Sequence, residues 1–329
     1  MEYRTEAALS YVMFNAYWDT FIGNTIDQSD KPLFPGVDTD KNVKYLLNSL
    51  RTLHKATSLD RFSVTLWLVD LAPNGLTAEA LRSRIAAALP DLRINVRTIG
   101  RPLVQRFILN AKKIPLEHYR SPNMLHEYVL LFVMSQTAEE RLIIVDCDIL
   151  FVRKDAPDYL LALLDRHPDK IAASFVERPA WRPFQDRQQL SRERMHTMTL
   201  VFHMTRLKTM FKLESLMNNL DWAKQVEQVP DLEARQYYWE CGVHDTFSFF
   251  TEQLKHKYPQ DLLLNLNEAM EDVYEGEMLT ILSDVLIHAK YLEPDGYKSL
   301  LDALKERRLD GDIVEYALDL ARLSREGQR

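Results

Sequence analysis

Two aspartates separated by one residue, Asp146 and Asp148, have side chains and a spacing that could bind a cation. Four apolar residues, 142–145, precede the pair and four more, 149–152, follow it. The pair therefore falls where a buried strand ends, and unpaired carboxylates in such a place are costly. Residues i and i+2 of a strand lie on the same side, so both carboxylates can face one crevice. Because hard divalent cations take oxygen ligands and bridge to phosphates, such a cation would compensate both charges.

An alternative explanation of this pair needs no ligand, since one aspartate could cap the next turn while the other forms an ion pair with an arginine. Two further D-x-D matches, at 38–40 and 310–312, lie beside predicted turns or helix starts. Aspartate is common at such positions for capping reasons. Only Asp146 and Asp148 have apolar residues on both sides, and this context favours a ligand-binding role for them.

Glycine is scarce, with 9 residues in 329, and no two glycines form a G-x-G pair. The dinucleotide-binding fingerprint, the Walker P-loop and the kinase glycine loop all need clustered glycines, because their backbone amides must approach phosphates closely. The sequence excludes all three motifs. If the protein binds a nucleotide, another device, such as a carboxylate-held cation, must neutralise the phosphates.

The elements that would position the acidic pair alternate between strands and helices. This alternation indicates an α/β sheet covered on both faces, and the continuous apolar run 142–145 is typical of a central, doubly covered strand. In the first half, strands are predicted at 11–18, 62–71, 92–99 and 142–145, with helices from Asp40, over 76–89 and from Ser121-Pro122. In the second half, strands are predicted at 171–176, 196–202, 262–266 and 285–288, and two helices at 297–308 and 312–326.

The bulk composition indicates a soluble cytoplasmic protein. The formal charge of −7 gives no general attraction to nucleic acid. The first residues do not have the pattern of a secretory signal, and the longest apolar run, 128–134, is too short to span a bilayer. Two cysteines, Cys147 and Cys241, do not make a disulfide framework and lack metal-site spacing.

The segment 141–164, RLIIVDCDILFVRKDAPDYLLALL, resembles the D-x-D region of GT-A-fold glycosyltransferases, above all glycosyltransferase family 8 and its relatives. The resemblance implies a GT-A-type mixed, mainly parallel sheet with helices on both faces and additional C-terminal helices. It implies a nucleotide-sugar-binding half at 1–155, an acceptor-side half of the same domain at 156–295 and a helical extension at 296–329. The implied donor is a nucleotide sugar, usually a UDP-sugar, whose diphosphate is held by Mn²⁺ or Mg²⁺.

The same resemblance implies roles for individual residues. Asp148 would bind the metal directly, and Asp146 would contact the metal or the ribose. A histidine at a C-terminal strand end is a family metal ligand, and His288 matches it, with Lys290 placed to meet a phosphate. The end of the first strand contacts the base, which points to Asn15 and Tyr17. His288 could equally be a structural residue of the core.

On the acceptor side, the resemblance points first to Asp245 and then to Glu240 as the base that an inverting transferase needs. A purely structural interpretation makes Asp245 the N-cap of the helix that follows it. The segment from Arg178 to Arg194 holds five arginines with no clear period and is expected to be a loop or disordered lid. It could be simply solvated, close over the donor, or bind an anionic acceptor. The residues 199–203 replace an asparagine and glycine found in many family members, so the acceptor itself is not indicated.

The sequence thus favours a metal-dependent glycosyltransferase, and three other functions remain open. A GT-A-like binding protein without turnover would keep the fold and the donor site. A sugar-phosphate nucleotidyltransferase shares the sheet architecture, but it opens with a glycine-rich loop that this chain lacks. A metal-dependent phosphohydrolase would need more carboxylates at one site than the sequence provides.

Overall fold

The computed structural model describes residues 7–15, 39–71, 75–104, 106, 122–177, 180–184, 187–191, 193–218, 246–271, 273–275, 279–282 and 285–289. The strands in these ranges are β1 (Ala7–Phe14), β2 (Phe62–Val69), β3 (Asn95–Ile99), β4 (Arg141–Val145), β5 (Ile149–Phe151), β6 (Ala172–Glu177), β7 (Ala180–Phe184), β8 (Arg187–Ser191), β9 (Arg194–His203), β10 (Leu263–Asn265), β11 (Val273–Glu275), β12 (Leu279–Leu282) and β13 (Leu286–Ala289). The helices are α1 (Thr39–Ala56), α2 (Ala78–Ala88), α3 (Pro122–Gln136), α4 (Ala156–Asp165), α5 (Met204–Met210), α6 (Leu213–Asn218), α7 (Ser248–His256) and α8 (Leu266–Ala269).

Seven strands form the main sheet in the order β10-β6-β9-β4-β1-β2-β3. All neighbouring strands pair in parallel except β9, which is antiparallel to both β4 and β6. The fold is therefore α/β with a mixed, mostly parallel sheet, as the sequence predicts and consistent with a GT-A fold. Because β1 to β4 are parallel, their carboxyl ends meet at one edge of the sheet, where open α/β sheets bind ligands.

Helices cover both faces of this sheet, which the apolar run in β4 predicts. Ile143 and Val145 pack into one core cluster, which α1, α2 and α4 complete, and both are at most 1% exposed. Leu142 and Ile144 pack into a second cluster with α3, α5 and α7 on the other face. Within the described residues, no helix is both long and apolar enough to cross a membrane.

A second, smaller sheet has the order β11-β12-β13-β5 and is antiparallel throughout. The chain leaves the main sheet after β4 and enters this sheet at β5, only four residues later. The register pairs His288 of β13 with Ile149 of β5. The second sheet therefore brings a residue from the far end of the described chain beside the acidic pair.

The segment from Arg178 to Arg194, expected to be a loop or disordered lid, instead contains the hairpin β7–β8, and this prediction was wrong. Trp181 pairs with Leu190 and Arg182 with Gln189 across the ribbon. The ribbon forms a sheet of its own, and Pro183 is tolerated in a strand that is not central.

Strand β1 begins four residues earlier than predicted, because Ala7 to Leu9 already pair with both β2 and β4. The predicted C-terminal helices at 297–308 and 312–326 lie outside the described residues.

Candidate metal site at the end of strand β4

The acidic pair occupies the short connection between the two sheets. Asp146 follows the last residue of β4, and Asp148 precedes the first residue of β5. The apolar runs on both sides form strands whose residues are almost completely buried, so the three residues between them are fixed at both ends. This is the carboxyl edge of the main sheet, where the sequence places the pair.

His288 completes a group of three possible metal ligands. Its Nε2 atom lies 3.3 Å from Oδ1 of Asp148, and one ligand atom from each of Asp146, Asp148 and His288 lies within 4.8 Å of the others. His288 is only 4% exposed. Two carboxylates and an imidazole form a donor set that suits Mn²⁺. The structure thus brings together the three residues to which the resemblance gives a metal-binding role.

Thr197 of β9 orients the first aspartate, and the sequence does not single this threonine out. Its hydroxyl donates a hydrogen bond of 3.0 Å to Oδ2 of Asp146. The amide of Asp146 also donates to the carbonyl oxygen of Met198, at 3.4 Å. The antiparallel strand β9 therefore holds both the backbone and the side chain of Asp146.

The electrostatics of the site disfavour negative charge in the absence of a cation. Burial raises the pKa of Asp146 to about 6, and the neighbouring charge of Asp148 acts in the same direction. His288, the hydrogen bond from Thr197 and the positive charge of Arg194 oppose this shift. A carboxylate with a raised pKa beside a second carboxylate is the arrangement that a bound cation would stabilise in its ionised form.

The residue between the aspartates, Cys147, packs against the core as expected from its size. Its thiol donates to the carbonyl oxygen of Val12 at 3.3 Å. Burial and the two adjacent carboxylates raise its pKa well above the usual value for a thiol. Cys147 therefore stays protonated and contributes packing at this position.

A second histidine, which sequence reasoning missed, lies against His288. The ring of His196 contacts the ring of His288 edge to face, with centroids 5.3 Å apart. Its Nδ1 atom accepts a hydrogen bond of 3.0 Å from the amide of Met198. The neutral imidazole must then carry its proton on Nε2. Only the pairing of β9 with β4 brings His196 here, and no local signal in the sequence indicates it.

Asn15 lies at the same edge of the sheet, where its side chain connects β1 to β2. Its Oδ1 atom accepts from the amide of Leu71 at 2.7 Å, and its Nδ2 atom donates to Oδ1 of Asp70 at 3.0 Å. Oδ2 of Asp70 in turn accepts from Nε of Arg101 at 3.1 Å. Asn15 is 3% exposed, and its hydrogen bond holds Asp70, whose side chain is 27% exposed.

Four predicted site residues lie outside the described residues: Tyr17, Glu240, Asp245 and Lys290. The structure does correct the alternative that makes Asp245 a helix N-cap. Helix α7 begins at Ser248, and its N-cap is Phe247, which has a φ of 64°. The amide of Phe247 donates to Oε2 of the buried Glu127 at 3.2 Å, which fixes this left-handed residue.

No family model matches the chain, and no curated protein matches it. Solved glycosyltransferase structures match most of its length. Mouse xyloside xylosyltransferase 1, in its apo form, has a TM-score of 0.46 and 13% identity over 78% of this chain and 84% of its own. Core-mannan synthase A from Aspergillus fumigatus, in a Mn/GDP form, has a TM-score of 0.43 and 10% identity over 84% and 76%. The galactosyltransferase LgtC, solved with donor and acceptor sugar analogs, has a TM-score of 0.36 and 12% identity over 72% and 73%.

Proposed function

We propose that this protein is a metal-dependent glycosyltransferase that transfers a sugar from a nucleotide-sugar donor, in particular a UDP-sugar, to an acceptor hydroxyl. The observation that carries the proposal is the group Asp146, Asp148 and His288 at the carboxyl edge of the sheet. The resemblance of the segment 141–164 to the D-x-D region of glycosyltransferase family 8 supports the donor class. The absence of any G-x-G pair supports a cation as the group that binds phosphate.

Asp148 and His288 would hold Mn²⁺ or Mg²⁺, and Asp146 would hold the metal or the ribose. When bound, the cation supplies charge neutralisation on the diphosphate and so stabilises it as a leaving group. Thr197 keeps Asp146 in one orientation through the hydrogen bond described above. Lys290, which follows β13 by one residue, is proposed to bind a phosphate oxygen, and Asn15 and Tyr17 are proposed to lie near the base.

During transfer, the bond from the anomeric carbon to the diphosphate oxygen breaks and the acceptor oxygen bonds to that carbon. In an inverting reaction, the proton of the acceptor hydroxyl passes to a carboxylate base. Asp245 is the first proposal for this base, and Glu240 is the second. Both lie in the segment that leads into α7, whose start is fixed by Glu127 and Phe247.

The test is the release of nucleoside diphosphate from a panel of UDP-sugars and GDP-sugars, with Mn²⁺ or with EDTA. We expect release with at least one donor that depends on Mn²⁺. Because a metal contributes several kcal/mol to such a step, Asp148→Asn should lower the rate by about 100-fold or more. Asp91→Asn is the matched control, since Asp91 is exposed in the connection between α2 and β3.

Two outcomes would contradict the proposal in different ways. Binding of nucleotide and Mn²⁺ without release from any donor would favour the binding protein without turnover. An absence of metal-dependent nucleotide binding, or equal activity in Asp148→Asn and the wild type, would exclude the proposed role of the acidic pair.

A further inference from the structure

Strand β9 carries a large β-bulge where it pairs with β6. Ser174 of β6 pairs with Leu200 of β9. Two residues further along β6, Val176 pairs with Met195, which lies five residues before Leu200. The single β6 residue between these two pairs therefore lies opposite four residues of β9, 196–199, where a regular ladder has one. Because bulges re-aim side chains and are common next to active sites, the contacts of these four residues are informative.

The bulge begins where β4 ends and supplies the partners of the first aspartate. On the side away from β6, β9 pairs with β4 as far as Thr199, which lies opposite Val145. The amide of Asp146 then donates to the carbonyl oxygen of Met198, a residue of the bulge. Thr197, also in the bulge, donates its hydroxyl to Oδ2 of Asp146. Both described hydrogen-bond partners of Asp146 thus belong to the bulge.

A further residue of the bulge, His196, contacts the histidine of the candidate metal group. Its ring lies edge to face with the ring of His288, with centroids 5.3 Å apart. It also makes an edge contact, at 6.1 Å between centroids, with Phe175, the β6 residue opposite the bulge. The hydrogen bond from the amide of Met198 to Nδ1 of His196 lies within the bulge itself. The bulge therefore contacts both a carboxylate and the imidazole of the candidate metal group.

The hydroxyl of Ser174 lies between the two ends of the bulge. Ser174 is 0% exposed, and its Oγ atom lies 3.1 Å from the carbonyl oxygen of His196 and 3.0 Å from that of Thr199. The carbonyl oxygen of Phe175, at 3.0 Å, is a third acceptor. A hydroxyl has one proton, so these carbonyl groups share a single donor. This buried side chain joins β6 to the first and the last residue of the bulge.

Strand β6 is itself held next to the bulge by Asn267 of α8. The outer neighbour of β6, β10, pairs with it as far as Ser174. Beyond that point, Oδ1 of Asn267 accepts from the amide of Val176 at 2.9 Å, and Nδ2 donates to the carbonyl oxygen of Val176 at 3.2 Å. The side-chain amide thus replaces the missing strand neighbour. The β6 backbone is therefore a fixed base from which Ser174 contacts the bulge.

We propose that Ser174 is a positioning residue of the metal site, because its hydroxyl closes the bulge that carries Thr197 and His196. The inference rests on the proposed function, which gives the acidic pair its cation, and it adds a residue outside the group of ligands. Without the hydroxyl, the buried carbonyl groups at the ends of the bulge lose their shared donor. The bulge then relaxes, and Thr197 and His196 no longer hold the ligands in one arrangement.

The test measures Mn²⁺ affinity by calorimetry with UDP present, together with the free energy of unfolding in urea. Since outer residues that orient metal ligands typically change metal affinity about 10- to 100-fold, we expect Ser174→Ala to lower it by about tenfold. Ser174→Cys keeps a group of similar size with only a weak donor, and it carries the same prediction if the alanine variant does not fold.

The matched control is Thr137→Val, which also removes a buried hydroxyl that donates to a backbone carbonyl. Thr137 follows α3, and its hydroxyl donates to the carbonyl oxygen of Val133 at 2.9 Å. This substitution should lower the free energy of unfolding and leave Mn²⁺ affinity unchanged. A general loss of stability is thereby separated from an effect on the metal site.

A double-mutant cycle with Thr197 tests whether the serine acts through the bulge. Residues that belong to one network have non-additive effects. In the Thr197→Val background, where one contact of the bulge with the metal group is already lost, Ser174→Ala should lower Mn²⁺ affinity by only about threefold. An effect that is independent of the bulge would instead be the same in both backgrounds.

Three results would overturn the inference. They are unchanged Mn²⁺ affinity in the Ser174 variants, equal losses of affinity in Ser174→Ala and Thr137→Val, or a loss of the same size in the wild-type and Thr197→Val backgrounds. A wild type that does not bind Mn²⁺ with UDP would count against the proposed function and against this inference with it. Intact binding in the wild type, together with any of the three results, would count only against the role of Ser174.

Discussion

The hydroxyl of Thr197 donates to Oδ2 of Asp146 at 3.0 Å, and this hydrogen bond joins the antiparallel strand β9 to the acidic pair at the end of β4. The carboxylate lies next to a second carboxylate and in a buried environment that raises its pKa. A neutral donor in this position stabilises the ionised form that a cation requires. Under the proposed function, Thr197 would therefore keep the site ready for metal.

Replacing Thr197 by valine keeps the shape of the side chain and removes the donor. We expect Thr197→Val to lower the affinity for Mn²⁺, measured by calorimetry with UDP present, by about tenfold, since hydrogen bonds to charged groups contribute about 1.5–3 kcal/mol. Thr197→Ser keeps the hydroxyl and should retain most of the affinity. Equal losses in the valine and serine variants would contradict this role.

Metal affinity should fall at low pH, because Asp146 then takes up a proton. Its pKa is raised to about 6, so the proton competes with the cation more strongly as the pH falls through that value. We expect Mn²⁺ affinity to be constant from pH 8 to 7 and to fall as the pH drops below about 6. Asp146→Asn cannot take up this proton, so its affinity should be lower and should change less between pH 7 and 5. An equally steep fall in that variant would assign the pH dependence to another group.

His288 should contribute a nitrogen ligand to the metal. In pulsed electron paramagnetic resonance of the Mn²⁺ complex with UDP, a ¹⁴N coupling typical of a bound imidazole is expected for the wild type. His288→Gln should remove this coupling and weaken Mn²⁺ binding, while His54→Gln, at an exposed position on α1, should change neither. Persistence of the coupling in His288→Gln would show that His288 is a structural residue.

Gly75 should tolerate no side chain, because a Cβ atom there would lie 2.5 Å from Nδ2 and 2.9 Å from the backbone oxygen of Asn15. We expect Gly75→Ala to displace Asn15, break its hydrogen bond to Asp70 and lower the free energy of unfolding by about 1–3 kcal/mol in urea denaturation. At Gly100, the nearest atom to a Cβ would be 3.5 Å away, so Gly100→Ala is a matched control with little effect. Similar losses in both variants would contradict the steric argument.

The sequence predicts the part of the site that lies within one continuous segment. Asp146 and Asp148 stand out because their neighbours at 142–145 and 149–152 are apolar on both sides, and both runs form buried strands. Strand alternation and helical spacing likewise indicate the covered, mostly parallel sheet. These features depend on local periodicity, which a single sequence records directly.

The local periodicity of a sequence does not show which distant segments come into contact. Thr197 and His196 reach the site only because β9 pairs with β4 in a particular register. His288 reaches it through the pairing of β13 with β5, and only the family resemblance pointed to it. The hairpin β7–β8 escaped prediction, and it forms a separate sheet rather than joining either larger one.

The most direct test of the central claim is an anomalous difference map from a crystal of the protein grown with Mn²⁺ and UDP, with data collected above the manganese absorption edge. The account predicts a strong peak within bonding distance of Asp148 and His288 and next to the diphosphate, with Asp146 bound to the metal or to the ribose. A map with UDP bound but no peak among these three residues, or with the peak elsewhere in the chain, would contradict it.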